Sequence, residues 1–229
     1  TFADRKEVAS AIRAEAIAAL GTWAEPSLTD RVDGVYRGPV KRDPEQVKAK
    51  VTGPAGNWLR ENDPAVVLAT GALLRELSVT NYQQQMGELV RSASSADVRS
   101  GMLTELSRMN YAGLDELVEA AMKDTDENVR TTGIGLLSVV KPDNERMMTI
   151  ARPILRKGSL REQQQLLKVL DGIPAERTEG ILGEVADGVK AGTIPVGILL
   201  ELNQAMDSTG HSAGLREKVA ALKGNNDET

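Results

Sequence analysis

The stretch Asp126–Leu137 reads D-E-N-V-R-T-T-G-I-G-L-L, and parts of its pattern recur along the chain. Asp126 stands three residues before Val129, Arg130 follows the valine, and a glycine comes three residues after the arginine. Residues 95–106, S-A-D-V-R-S-G-M-L-T-E-L, repeat the cap, the aliphatic residue and the arginine 31 residues earlier. A fixed period of this length is typical of an array in which each repeat is one supersecondary unit stacked on the next.

Further copies lie at 12–21, 63–74, 159–170 and 193–202, the last of them degenerate. Four arginines follow an aliphatic residue in these copies: Arg13, Arg99, Arg130 and Arg161. We interpret them as a structural ladder that pairs with capping acids or carbonyls of the adjacent repeat. The functional alternative is a basic strip along one edge of the array that meets an acidic partner.

Second helices are predicted between these copies, at about 113–123, 143–157, 176–190 and 213–223, with Asp143 and Ser212 as caps. The pattern predicts an all-α fold, a right-handed α-α superhelix (a solenoid) of about six helix pairs. We expect one domain over residues 1–229.

The period breaks once, because 54 residues separate Arg13 from Val67, which stands where the second copy would carry its arginine. We infer an insertion at about 22–44, which Pro and Gly mark as an ordered loop rather than a helix. Its aromatic and basic residues are the candidate contact surface: Trp23, Arg31, Tyr36, Arg37 and Arg42. The alternative is that Trp23 and Tyr36 only cover the open end of the first repeat.

The composition of the chain excludes several classes of function. The net charge of −5 argues against a nucleic-acid binder held by phosphate contacts. The chain has no cysteine, which excludes disulfides, thiolate metal sites and a cysteine nucleophile within it. No apolar run is long enough to span a membrane. Aromatic residues are absent after Tyr111, so the later helices must build their core from aliphatic side chains.

One glycine motif and one acidic motif resemble ligand-binding loops, but we favour a structural role for each of them. Gly133 and Gly135 resemble a truncated nucleotide-binding fingerprint, which requires a preceding strand, whereas here they fall inside a repeat helix. Residues 124–128 resemble the start of a calcium loop, but Val129 replaces the required glycine. We expect helix packing for the first motif and helix capping for the second.

The other titratable groups do not form a catalytic set either. His211 is the only histidine, and we expect it on the surface in a turn. Asp115, Glu116 and Glu119 have the spacing of a solvated helix face. We therefore predict no catalytic residues, no cofactor and no metal, and expect that the chain itself is not an enzyme.

Repeats of this length and pattern resemble HEAT repeats across nearly the whole chain. A narrower resemblance is carried by residues 18–44, A-A-L-G-T-W-A-E-P-S-L-T-D-R-V-D-G-V-Y-R-G-P-V-K-R-D-P, and by residues 156–170. These are similar to the middle segment of large bacterial (planctomycete-type) proteins that join a glucose/sorbosone dehydrogenase-like propeller to a cytochrome-c-like haem domain.

The resemblance implies a rigid spacer or scaffold whose partners are neighbouring domains or another protein, in a parent that is periplasmic or secreted. The chain begins at Thr1 without Met or a signal-like segment, so we expect a processed chain or an excised fragment. The rival hypotheses are a free-standing scaffold that binds a protein or peptide, and a HEAT-like enzyme of the DNA glycosylase or bilin lyase type.

Overall fold

The fold is all-α over the residues that the computed structural model describes, which are 2–30, 32–207 and 210–224. Within those ranges there is no β-strand, and the α-helices are as follows. They are α1 (Ser10–Gly21), α2 (Pro44–Trp58), α3 (Pro64–Glu76), α4 (Gln83–Ser92), α5 (Ala96–Arg108), α6 (Leu114–Ala121), α7 (Glu127–Gly135), α8 (Leu137–Val140), α9 (Asn144–Lys157), α10 (Leu160–Asp171), α11 (Ala175–Lys190), α12 (Leu199–Asp207) and α13 (Ala213–Gly224).

Polar residues at the helix starts explain where most of these helices begin. Asp63, Ser95 and Asp126 accept hydrogen bonds from backbone N–H groups in the first turns of α3, α5 and α7. Ser159 forms a reciprocal capping box with Glu162 at the start of α10. The predicted caps Asp143 and Ser212 accept from the N–H groups of Arg146 and Leu215.

The chain divides into two compact units, residues 1–121 (unit 1) and 122–229 (unit 2). In unit 1, α3 packs between α1 and α5, and α4 contacts α5 and α6. In unit 2, α10 packs between α7 and α12, and α11 contacts α9 and α13. Most of these helices therefore contact the helix two positions further along the chain, and α7 contacts the helix three positions further, because the one-turn helix α8 lies between them and α9 follows it.

Each unit has its own apolar core. Unit 1 buries Trp58, whose Nε1–H donates to Asp4 at 2.9 Å, and it also buries leucines and methionines of α3 to α5. Unit 2 is aliphatic, with Leu166 and Leu182 fully buried among other Leu, Ile and Val side chains. This confirms the prediction that the later helices build their core from aliphatic side chains. Close packing of such side chains supplies most of the stability of short helices.

Two sequence motifs have the structural roles that we expected. Gly133 and Gly135 lie inside α7, with no strand before them, so they do not form a nucleotide-binding loop. Asp126, within the calcium-loop-like segment, caps α7.

The prediction for His211 was wrong, because its side chain is buried, with 6% exposed. Its Nε2 lies 3.1 Å from the carbonyl oxygen of Ala205, one of the last carbonyls of α12. Since the final carbonyls of a helix lack partners within it, a side chain in the next turn gains by folding back onto them.

Candidate interaction surface

The insertion between α1 and α2 forms a short hairpin, which the sequence did not predict. Thr29 and Tyr36 make an antiparallel bridge. On either side of it, the Asp30 N–H donates to the Val35 oxygen at 2.9 Å and the Arg37 N–H donates to the Leu28 oxygen at 2.8 Å. Gly34, at the tip, has a φ of 70°, a backbone conformation that glycine adopts at little cost.

The base of the hairpin is fixed to the start of α2. Arg42 donates from Nη1 to the Trp23 carbonyl oxygen at 2.7 Å, and its guanidinium lies 5.1 Å from the centre of the Trp23 ring. The Arg42 N–H also donates to the Ala24 oxygen at 2.9 Å. Asp43 then caps α2 by accepting from the Glu45 N–H. The two ends of the insertion are therefore held close together.

Four large apolar side chains of the hairpin face solvent, namely Leu28, Val32, Val35 and Tyr36. Val32 is 96% exposed and Tyr36 is 66% exposed, so neither side chain is used to cover the core. Clustered exposed apolar residues on a protein surface mark interaction sites far more than scattered single ones do.

The charged groups of the hairpin mostly satisfy each other. Arg37 pairs with Asp33 at 2.7 Å and approaches Asp30 at 3.6 Å. Lys41 lies 3.9 Å from Glu25. The described residues of the hairpin thus present an apolar surface with locally paired charges, rather than a basic patch.

The structure brings the predicted contact residues together in two clusters. Trp23 and Arg42 stack at the base of the insertion, where Trp23 is half-buried, and Tyr36 and Arg37 lie next to each other in the hairpin. Arg31 lies outside the described residues. Sequence reasoning missed Leu28, Val32 and Val35, because an isolated aliphatic residue in a loop gives no signal of its exposure.

Three of the four ladder arginines occupy the same place in their helices. Arg13, Arg99 and Arg130 each lie four residues after the N-cap residue of their helix. Arg99 and Arg130 donate from Nη1 to the two carbonyls that precede that cap, Ala93 and Ser94 for Arg99.

Arg161 departs from this register because it lies only two residues after its cap, Ser159. The caps of α7 and α10 are 33 residues apart, whereas those of α5 and α7 are 31 apart. The ladder position in α10 is therefore taken by Gln163, which donates to the Leu155 oxygen at 3.0 Å. Arg161 instead donates to the side chain of Asn128.

Two ladder arginines also reach carboxylates of a neighbouring helix pair. The buried Arg13 donates to the Ala3 oxygen at 2.7 Å and to Glu61 at 2.8 Å, and this hydrogen bond to Glu61 raises the pKa of Arg13. Arg130 donates to Glu162 of α10. Burial by itself raises the pKa of Glu162, but the bonds from Arg130 and the Ser159 N–H outweigh burial and lower it.

The described residues contain no cluster of His, Asp or Glu side chains suited to hold a metal ion. No helix among them is both long and apolar enough to cross a bilayer. Compared with known proteins, the chain matches no family model, and no curated protein matches it.

Proposed function

We propose that this chain is a non-catalytic helical-repeat scaffold of the HEAT type, whose helices stack as a right-handed α-α superhelix. The packing order within each unit supports this, because α3 lies between α1 and α5 and α10 lies between α7 and α12. The linking arginines support it too, since Arg13 and Arg130 join one helix pair to the next.

The scaffold acts by holding a partner rather than by chemistry, and the insertion makes that contact. The observation that carries this proposal is the hairpin itself, which exposes Leu28, Val32, Val35 and Tyr36 on an anchored base. Apolar side chains that stay in water do not stabilise the fold of the chain itself. We therefore attribute the exposure of these four side chains to a partner surface that buries them when it binds.

The partner in this proposal is a neighbouring domain of a larger exported protein. This part rests on the resemblance of residues 18–44 and 156–170 to the middle segment of dehydrogenase–cytochrome proteins, in which the scaffold spaces the two flanking domains. It also implies a periplasmic or secreted location. Reading the open reading frame on both sides tests it: a propeller before Thr1 and a C-x-x-C-H after Thr229 are expected, and their absence would leave a free-standing scaffold.

Photo-crosslinking tests the contact directly. A photoreactive amino acid replaces Val32 in the native full-length product, and a matched variant carries it at Ala220, an exposed position of α13. We expect cross-links from position 32 to residues outside 1–229 or to another protein, and none at comparable yield from position 220. Equal yields, or cross-links only within 1–229, would refute the insertion as the contact surface.

A further inference from the structure

A groove of about 600 Å³ opens in unit 1, away from the insertion. The turn between α2 and α3 forms one wall, the turn between α4 and α5 forms the other, and α4 lies along the groove. We call it the amide groove, because the side chains of Asn62, Asn81 and Gln84 line it.

The walls of the amide groove are fixed by hydrogen bonds to backbone carbonyls. The Tyr82 hydroxyl donates to the Thr52 oxygen, and Gln85 Nε2 donates to the Gly56 oxygen at 3.1 Å, which ties α4 to α2. Arg99 Nη1 donates to the Ala93 oxygen at 2.8 Å and holds the far turn. A groove held in this way costs little ordering when a ligand binds.

The three amide side chains themselves are exposed, and none of them is hydrogen-bonded to another described residue. Each primary amide carries both a donor and an acceptor in one plane. This is the complement of a peptide backbone, whose N–H and C=O groups alternate along an extended chain.

The dimensions of the groove suit a short extended segment. Gln84, Glu88 and Ser92 follow one another at helical spacing on α4, and Asn81 lies three residues before Gln84, in the turn that precedes α4. From Gln84 to Ser92 the helix rises about 12 Å, which matches roughly four residues of extended chain.

The charges and rings of the groove argue for a neutral ligand. Glu88 and Arg60 bring one charge of each sign, while Glu61 is already bonded to Arg13. The ring of Tyr82 packs against Gly56, so close that a Cβ there would lie 2.8 Å from it. The ring is therefore used for packing between α2 and α4 rather than as a stacking platform for a base or a sugar.

We propose that the amide groove binds an extended, uncharged polypeptide segment through its backbone, with Asn62, Asn81 and Gln84 as the recognising side chains. This rests on the proposed function, since it names a second kind of contact that the scaffold makes. It is independent of the insertion, because none of the groove residues belongs to the hairpin.

A random dodecapeptide library displayed on phage is the probe. The wild-type protein is used for selection, and an enriched peptide is synthesised for affinity measurements by fluorescence polarisation. The test variant is the double substitution Asn81→Ala and Gln84→Ala, and the matched control is Gln204→Ala, an exposed amide of α12 in unit 2. Circular dichroism on all proteins verifies that folding is unchanged.

We expect the double substitution to weaken the peptide about tenfold or more, since two hydrogen bonds are lost, while Gln204→Ala leaves the affinity unchanged. N-methylation of alternate peptide amides should abolish binding. Enrichment of no peptide, binding that the double substitution does not weaken, or binding that disappears at about 0.5 M salt, where charge interactions are screened, would overturn the proposal.

The outcome also separates this proposal from the insertion contact. Val32→Asp should leave peptide affinity unchanged, because Val32 is not part of the groove. If position 32 gives no external cross-link but the peptide binds as expected, the insertion contact fails and the groove stands. If the reverse is found, only the groove proposal fails.

Discussion

Two regions of unit 1 contain the same kinds of side chain in opposite environments. In the turn between α2 and α3 these side chains are largely buried, whereas in the insertion between α1 and α2 they are exposed. In the turn, Glu61 forms an ion pair with Arg13 of α1, and the side chain of Arg13 is buried inside unit 1. In the insertion, Arg37 bonds Asp33 just as closely, but both side chains are about half exposed. Trp58 at the end of α2 is buried, whereas Val32 at the hairpin tip is in solvent.

The difference teaches that burial, rather than the residue types, decides what an arginine–carboxylate pair does. A pair removed from water leaves an uncompensated charge when it is broken, while an exposed pair is replaced by solvent at little cost. The turn is therefore part of the scaffold, and the insertion is free to serve as a contact surface.

The largest effect is expected from Arg13→Ala, which leaves Glu61 without its partner. The free energy of unfolding of unit 1 should fall by about 3 kcal/mol, measured by urea denaturation. The counterpart in the insertion, Arg37→Ala, should change it by less than about 0.5 kcal/mol. Equal losses for the two variants would break the comparison between turn and insertion.

Gly56 of α2 lies in a closely packed part of the scaffold, so a substitution there tests whether close packing, like the buried ion pair, stabilises the fold. In Gly56→Ala the new Cβ meets the Tyr82 ring, so the free energy of unfolding should fall by about 2 kcal/mol. Gly180 lies inside α11 with open space around it, and Gly180→Ala should instead stabilise by about 0.5–1 kcal/mol, since alanine favours the helix. Thermal unfolding followed by circular dichroism gives both values; a stabilised Gly56→Ala would contradict the packing described for Tyr82.

The ion pair between Arg130 and Glu162 in unit 2 makes the free energy of unfolding depend on pH. Because the pKa of Glu162 is lowered in the folded state, its carboxylate stabilises the fold above the ordinary glutamate pKa of about 4.3. This contribution is lost as the pH falls through the lowered value, where the proton binds. The free energy of unfolding should therefore drop more steeply with acid in the wild type than in Glu162→Gln. Parallel pH profiles would show that Arg130 does not hold this carboxylate.

The smallest effect on stability is expected at the hairpin. Val32→Asp and Tyr36→Asp should change the free energy of unfolding by less than about 0.5 kcal/mol, because both side chains already face water. Tyr36→Asp should also remove the cross-links formed by the photoreactive residue at position 32. A large loss of stability would mean that these side chains support the fold rather than a contact.

The sequence predicts helices best where both ends carry a signal. The expected spans 143–157 and 176–190 correspond to Asn144–Lys157 and Ala175–Lys190, because Asp143 caps the first and Gly158 and Gly192 follow the two ends. The break between α7 and α8 at Leu136 was not foreseen, since nothing in the apolar spacing marks it.

Long-range partners were harder to predict. The repeat pattern indicated that Arg13 pairs with a neighbouring repeat, but it could not select Glu61, which is 48 residues away. The pattern also predicted that Arg161 occupies the ladder position of α10. Because the caps of α7 and α10 are further apart than those of α5 and α7, that position is occupied by Gln163. The amide groove has no periodic signature, because Asn62, Asn81 and Gln84 come from two different turns and a helix that meet only after folding.

The most direct test of the account is amide hydrogen exchange on the native full-length product, with the wild type compared with the double variant Val32→Asp and Tyr36→Asp. In the wild type, the bonded amides of the hairpin at Asp30, Gly34 and Arg37 should exchange as slowly as those of the α2–α3 turn, and in the variant only the hairpin should speed up. If the hairpin amides already exchange fast in the wild type and the variant changes nothing, the insertion is not buried against a partner, and the scaffold does not act through it.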